Sequence, residues 1–552
     1  MASLLELVDR VNKGETIDAS ALEIYQESAN SAEKFLAHHA HAMLDLRRAQ
    51  QHILQSLEAI DYADQKVLSE FISIAGFLNL TDQRAQPIVK FGASAINRRE
   101  YALGIEAIAS AVAYDLANNG AFTADKENSQ WIANQYQRAA QCIGWTSGQD
   151  LNWSNKQTRI ALIVSSIADD EATGRMIRGL AKFIDPQRYK LFVYSTEAFV
   201  RREKQQFQLT SYLQPSSKRG GKTLDALERH KVTAWIAPVE GDAVTAAQEL
   251  ADQMIKDKID VALFDATQSD PIAALVTTWE TAPAKVNLVR RTPMFTSSVN
   301  CVMYLDQARY EADAELWRRK SIESTYLLEG IDLAECACAA PSRSAYGIPE
   351  QSLVLASVSP ELDKTISEEF TEMVINVLRA NPNAIYLAIG DGELALQKRK
   401  FESAGVGKRI GYAGKRRDLP GFLRIADIYL AEFPSSNAAG VLQAMAVERP
   451  VVAMKWGNDA AQSQSAILAG GEAAISSRDI KAYTDKVNAL VRDPAQRRSA
   501  GRAMKARVEQ LFGMSQTARH LEQLCDQLIQ RKLATAEAET IIKEDQPMTA
   551  VA

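Results

Sequence analysis

The alternation of apolar and polar residues divides the chain into two patterns. Up to about Leu151 the apolar positions recur at helical intervals. Leu36, Met43, Leu46, Ile53, Leu57 and Ile60 are spaced by three, four and seven, which lines them along one helix face. Tyr101, Ile105, Ile108, Val112 and Leu116 repeat that spacing, and no β-branched alternating run interrupts the region. The first 150 residues are therefore predicted to be all-α. Gly104, Ile108 and Ala111 stand where the second helix of a tetratricopeptide unit carries its small, large and small packing residues. Only one such unit is visible, without the repeat of about 34 residues that a regular array would show.

After the polar segment Ser147 to Thr158 the pattern changes. Arg159-Ile-Ala-Leu-Ile-Val-Ser-Ser166 reads as a buried strand ending in small polar residues. A helix follows from about Gly174 to Phe183, then strand Tyr189 to Tyr194, a polar loop at Ser216 to Gly221, and strand Ala234 to Pro238. Helix Ala243 to Lys256 leads into strand Val261 to Asp265, with a further strand around Lys285 to Val289. This alternation argues a parallel, doubly wound sheet. It restarts after Pro341 to Pro349 with strand Val354 to Val358, helix Ser367 to Asn381 and strand Ala384 to Gly390. Strands Arg409 to Ala413, Ile428 to Leu430 and Pro450 to Met454 come later, with a helix near Gly440 to Val447 and closing helices over Ile480 to Gln530.

The predicted fold class is thus α/β: two Rossmann-like domains preceded by an all-α, tetratricopeptide-like domain. The boundaries fall at 1–155 for the helical domain, 156–340 and 341–530 for the two Rossmann-like domains, and 531–552 for a tail without apolar period, read as disordered.

Length and composition narrow the function. With 552 residues, 46% apolar and 24% charged, the chain holds several globular cores. A formal net charge of -6 removes the motive for broad nucleic-acid binding. Five scattered cysteines, Cys142, Cys301, Cys336, Cys338 and Cys525, do not make a disulfide framework. The N-terminus lacks the basic and apolar regions of a signal peptide, and no apolar run reaches the roughly 18 residues of a membrane span. The expected location is cytoplasmic.

Two tandem Rossmann-like domains leave a cleft at the carboxyl ends of their strands, where open α/β sheets bind ligands. In the second domain, Leu430-Ala-Glu-Phe-Pro-Ser-Ser-Asn-Ala-Ala-Gly440 runs from a strand end through small residues into a helix beginning near Gly440. Such a turn offers backbone N–H groups at a positive helix end, suited to a diphosphate; it also serves plain helix-to-sheet packing. Cys336-Ala-Cys338 lacks zinc-knuckle spacing, and the rings of His38, His39 and His41 spread around a helix, so no metal is expected. Gly390-Asp-Gly392 reads as a turn, and the pairs Arg290-Arg291 and Arg416-Arg417 read by default as solvated surface, although either could meet a phosphate or an acidic acceptor.

Residues Ile425 to Met454, with the turn just quoted at their centre, resemble the donor-site segment of GT-B glycosyltransferases of the O-GlcNAc transferase-like family, which includes bacterial adhesin and flagellin protein glycosyltransferases. The resemblance extends to Ser359-Pro-Glu-Leu-Asp-Lys364 and to Asp493-Pro-Ala-Gln-Arg-Arg498. It implies a GT-B fold and a metal-independent, inverting transfer of a hexose from a nucleotide donor, a UDP-sugar above all, to a protein acceptor of the surface adhesin or flagellin type. It implies no cofactor beyond the nucleotide-sugar substrate, and homo- and hetero-oligomers both stay open. Carried over by position, Lys364 would neutralise the diphosphate and assist its departure. Ser435, Ser436, Asn437, Ala438, Ala439 and Gly440 would form the phosphate cradle, and Gln443 would meet the ribose where the family has an acid.

Besides Gln443, this chain departs from the family in two places. The family's threonine pair beside the phosphates is Ala439-Gly440 here. The histidine that many members place near the acceptor is replaced by Glu171, beside Asp170. Either carboxylate could act as general base, or Glu171 could cap the following helix. The alternatives to a transferase are a degenerate relative that binds the acceptor for a catalytic partner, and another GT-B sugar-nucleotide enzyme.

Overall fold

The computed structural model describes residues 81–544 apart from 118–119, 149–150, 152–154, 170, 208–212, 291, 417 and 458–459, together with isolated helical positions at 7, 10, 20, 21, 37 and 40. The helical stripe from Leu36 to Ile60 and the histidine cluster beside it lie outside the described residues, as does Asp170.

Helices α1 (Thr81–Asn97), α2 (Tyr101–Ala117) and α3 (Lys126–Ile143) form the described helical region. Helix α2 is buried on every side from Leu103 to Val112, the predicted positions Ile105, Ile108 and Val112 among them. Gly104 permits the close approach of α1: a Cβ there would stand 2.7 Å from the Gly92 carbonyl oxygen and 2.6 Å from Ile96 Cγ1.

The first Rossmann-like domain is a seven-stranded parallel sheet in the order β3-β2-β1-β4-β5-β6-β7. Its strands are β1 (Thr158–Val164), β2 (Tyr189–Ser195), β3 (Thr233–Ile236), β4 (Val261–Asp265), β5 (Ala284–Val289), β6 (Cys301–Tyr304) and β7 (Glu323–Tyr326). Helices α4 (Ala172–Phe183), α5 (Gly221–Arg229), α6 (Ala243–Lys256), α7 (Pro271–Thr278) and α8 (Gln307–Arg319) cover its faces. The central strands β1, β4 and β5 are buried along nearly their whole length, which is why they read as continuous apolar runs. Edge strand β7, Glu-Ser-Thr-Tyr, carries no such run and was not predicted; neither was the four-residue β6.

The helical region shares a core with this domain. Tyr136 on α3 donates to the Gln268 carbonyl at 2.8 Å, and Trp145 packs on Trp279 with ring centroids 5.3 Å apart. Glu106 on α2 is buried and accepts from the backbone N–H groups of Gln206, Phe207 and Ala243, the last being the first residue of α6. Burial raises its pKa to about 7 against the pull of those three bonds.

The second Rossmann-like domain has the order β10-β9-β8-β11-β12-β13, all parallel. Its strands are β8 (Leu353–Ser359), β9 (Ala384–Gly390), β10 (Ile410–Tyr412), β11 (Ile428–Leu430), β12 (Val451–Met454) and β13 (Ala474–Ile475). Between and after them come the one-turn α9 (Leu362–Thr365), α10 (Glu368–Ala380), α11 (Ala395–Ser403), α12 (Leu419–Leu423), α13 (Ala438–Ala446), α14 (Ala460–Ala469), α15 (Ile480–Arg492) and α16 (Pro494–Leu511). In both sheets the strand order reverses beside the first strand, between β1 and β4 and between β8 and β11. That is where a crevice opens in this topology.

The last helix, α17 (Met514–Glu544), returns to the first domain, where Ala518, Leu521, Leu524, Cys525 and Leu528 join the core under β1, β4 and β5. Ile331 and Gly513 form a parallel bridge, so the two Rossmann-like domains are joined by two adjacent chain crossings. Helix α17 runs on to Glu544, into the stretch 531–552 read as a tail; residues 545–552 lie outside the described residues.

Candidate functional site

The predicted cradle lies at the switch point of the second domain. Strand β11 ends at Leu430, a seven-residue turn follows, and α13 begins at Ala438, two residues earlier than expected. Asn437 is its N-cap, in extended geometry and without a side-chain capping bond, so the first N–H groups of α13 keep no side-chain acceptor. Gly440 sets how closely the helix approaches the sheet. A Cβ there would lie 2.7 Å from Tyr429 Oη and 3.2 Å from Val358 Cβ.

From its first two turns, α13 presents Ala438, Ala439, Leu442 and Gln443 to a hollow between the domains. Arg175 of α4, Glu329 of the interdomain connection and Met514 line the other side. The hollow holds roughly 690 Å³ of empty space, counting the solvent at its mouth. Gln443 is 8% exposed, and its side-chain oxygen has no hydrogen-bond partner. The Ser436 hydroxyl in the turn is likewise buried and unpartnered. Unmet buried acceptors cost about 1–3 kcal/mol each, and they are rare in folded proteins unless something else satisfies them.

The same turn carries a residue that the sequence did not single out. Glu432 is 2% exposed, and neither carboxylate oxygen makes a well-formed hydrogen bond. Burial pushes its pKa up to about 8, although the backbone N–H groups of Val358 and Asn437 face it and pull the other way. The only sequence signal was an acid between a buried strand and Phe433-Pro434, in a stretch otherwise apolar.

Lys364 lies at the other flank of the switch point, on α9 after β8. Its ammonium is 2.9 Å from Glu361 Oε1 and 3.5 Å from the carbonyl of Ala117 at the end of α2, and the side chain is half exposed. It does not line the hollow beside Gln443; it faces the helical region from the same strand-end edge. The Gly390–Gly392 segment is the turn it was read as, and it is anchored to α9: Leu362 donates to the Asp391 carbonyl at 2.8 Å, and Asp363 accepts from the N–H groups of Glu393 and Leu394.

In the first domain, Glu171 occupies the N-cap position of α4, yet its side chain makes no capping bond. Its carboxylate instead meets Arg219 at 3.0 Å. Two basic residues read as solvated surface prove otherwise. Arg290 bridges Asp265, at 2.9 Å, and Glu329. Burial lowers its pKa, but the two carboxylates outweigh that and leave it raised. The Arg416 guanidinium lies over Phe422 and Tyr346, 4.7 and 5.2 Å from the ring centroids, with its Nε buried. Their partners Arg291 and Arg417 lie outside the described residues. Among the described residues no cluster of three or more His, Cys, Asp or Glu side chains could hold a metal ion, and no helix is long and apolar enough to cross a membrane.

Two Rossmann-like domains facing each other across a cleft, with a helical region packed on the first, make a GT-B fold. Residues 363–493, which span the cradle, match the family model of glycosyl transferases group 1. Among solved structures, a mutant of the Thermobaculum terrenum O-GlcNAc transferase is similar over 97% of this chain and 100% of its own, with 15% identity and a TM-score of 0.55. A glycosyltransferase from Rickettsia africae is similar over 68% of this chain and 99% of its own, with 13% identity and a TM-score of 0.50. A search of curated proteins finds no match.

Proposed function

We propose that the protein transfers a sugar from a nucleotide donor, a UDP-sugar, to a protein acceptor, with inversion and without a metal. The observation that carries this reading is the head of α13. The helix start carries no side-chain cap, its first two turns line one interdomain hollow, and Gln443 on that stretch keeps a buried oxygen without a partner, which together suit a ligand bearing both an anion and hydroxyl donors.

In this reading Ser435 to Gly440 hold the diphosphate through backbone N–H groups, and Gln443 accepts from a ribose hydroxyl. Lys364 exchanges Glu361 for the departing diphosphate and stabilises the charge that develops on it. The acceptor group attacks the anomeric carbon from the first domain, its proton passing to Glu171, which Arg219 orients, or to Asp170. Acceptor recognition falls to the helical region, whose α2 ends beside Lys364.

A panel of nucleotide sugars, incubated with the full chain with and without candidate surface proteins, tests the reading through released nucleotide and acceptor intact mass. Transfer adds one sugar mass to the acceptor; nucleotide release without that gain points to another sugar-nucleotide reaction. A donor-binding but inert chain would favour the second reading, a partner subunit that presents the acceptor. That reading is favoured by the engagement of Glu171 with Arg219 and by the missing hydroxyls at Ala439 and Gly440.

A further inference from the structure

Glu432 has no role in the scheme above, yet it sits at its centre. The turn from Ala431 to Asn437 wraps it against the strand ends. Tyr386 of β9, Tyr429 of β11 and Tyr483 of α15 are the titratable groups that feel its charge. Two of them are already engaged: Tyr483 donates to the carbonyls of Ala431 and Val452, and Tyr429 lies 3.5 Å from that of Val358. The Tyr386 hydroxyl has no partner of its own. Neighbouring Phe433 stacks on Trp456 at 4.9 Å and meets Phe370 and Tyr483 edge-on, closing that side of the turn with apolar surface. The carboxyl is therefore sealed beneath the cradle, facing the N–H of Asn437, the residue at the N-cap position of α13.

We propose that Glu432 is a positioning residue for the nucleotide-sugar donor: as a neutral acid it supports the cradle from below, and its ionisation there opposes an anion bound at the head of α13. This rests on the donor reading above. An uncharged carboxyl leaves the positive helix end to the diphosphate, whereas a carboxylate beneath the same N–H groups competes for them and repels the ligand. The raised pKa of about 8 sets the direction: donor affinity is full at neutral pH and falls as pH rises through that value.

The test is calorimetric titration of the full chain with UDP-glucose, whose phosphodiester does not titrate in the range used, from about pH 6.5 to about pH 9. The wild-type chain is expected to lose at least about threefold in affinity across the range, and Glu432→Gln to bind at a level independent of pH. Parallel curves for the two proteins, or a flat wild-type curve, would overturn the proposal while leaving the donor site standing. Absence of UDP-glucose binding at every pH would overturn both. Should Glu432→Gln fail to fold, the wild-type curve decides alone, a midpoint near pH 8 supporting the proposal and a flat line refuting it.

Discussion

The two Rossmann-like domains share a topology and differ in how they treat the polar groups at their strand ends. In the first domain these groups satisfy one another. Asp270 is fully buried and accepts from Ser165 at 2.7 Å, Thr196 at 2.6 Å and the N–H of Ala273 at 3.0 Å, while Asp169 holds Thr223 and Arg290 holds Asp265. In the second domain Glu432, Ser436, Gln443 and Tyr386 keep buried oxygens without partners. Of the eight buried side-chain atoms lacking a hydrogen bond among the described residues, only that of Thr281 belongs to the first domain. One side of the cleft is a finished network, and the other keeps unpartnered oxygens, one of them on Gln443, which lines the hollow. Stability and binding should therefore respond to mutation in opposite domains.

The largest effect is expected at Asp270. Asp270→Ala strands two hydroxyls and a helix N–H in the core and should lower stability by about 3 kcal/mol, read as the midpoint of chemical denaturation. A loss under about 1 kcal/mol would mean that the network is not the rigid element described. Lys364→Ala should leave folding intact, because its ion pair is exposed, and slow nucleotide release about a hundredfold; undiminished turnover would remove Lys364 from the chemistry. Gln443→Leu removes an acceptor that the fold leaves unused. It should weaken nucleotide binding about tenfold while changing stability by no more than about 1 kcal/mol, and a large destabilisation would show that the oxygen is already satisfied. The smallest effect lies at the rim of the finished network. Glu171→Gln breaks a partly exposed pair with Arg219 and should shift stability by at most about 0.5 kcal/mol, so any larger loss of turnover reports on proton transfer.

Much of the fold was legible because burial writes itself into sequence. Ile160 to Val164, Val261 to Phe264 and Ala384 to Ile389 are apolar runs because both sheet faces are covered. Strand β7 escaped because an edge strand with one exposed side has no reason to be apolar. The strand–turn–helix around Leu430 to Gly440 was legible through its small residues and the helix that follows. Glu432 and Arg290 were not, for a shared reason. Each owes its character to what surrounds it in space, a lack of partners in one case and two distant carboxylates in the other, and neither spacing nor residue type records that.

Helix α17 has a consequence for how the chain matures. Leu521, Leu524 and Leu528 complete the apolar floor of the first domain, yet they are translated only after every strand of the second. During synthesis the sheet nearer the N-terminus must wait, one face incompletely covered, while the sheet beyond it emerges and folds. The order of completion is the reverse of the order of appearance, and the cleft between the two sheets takes its final form only when the last helix leaves the ribosome.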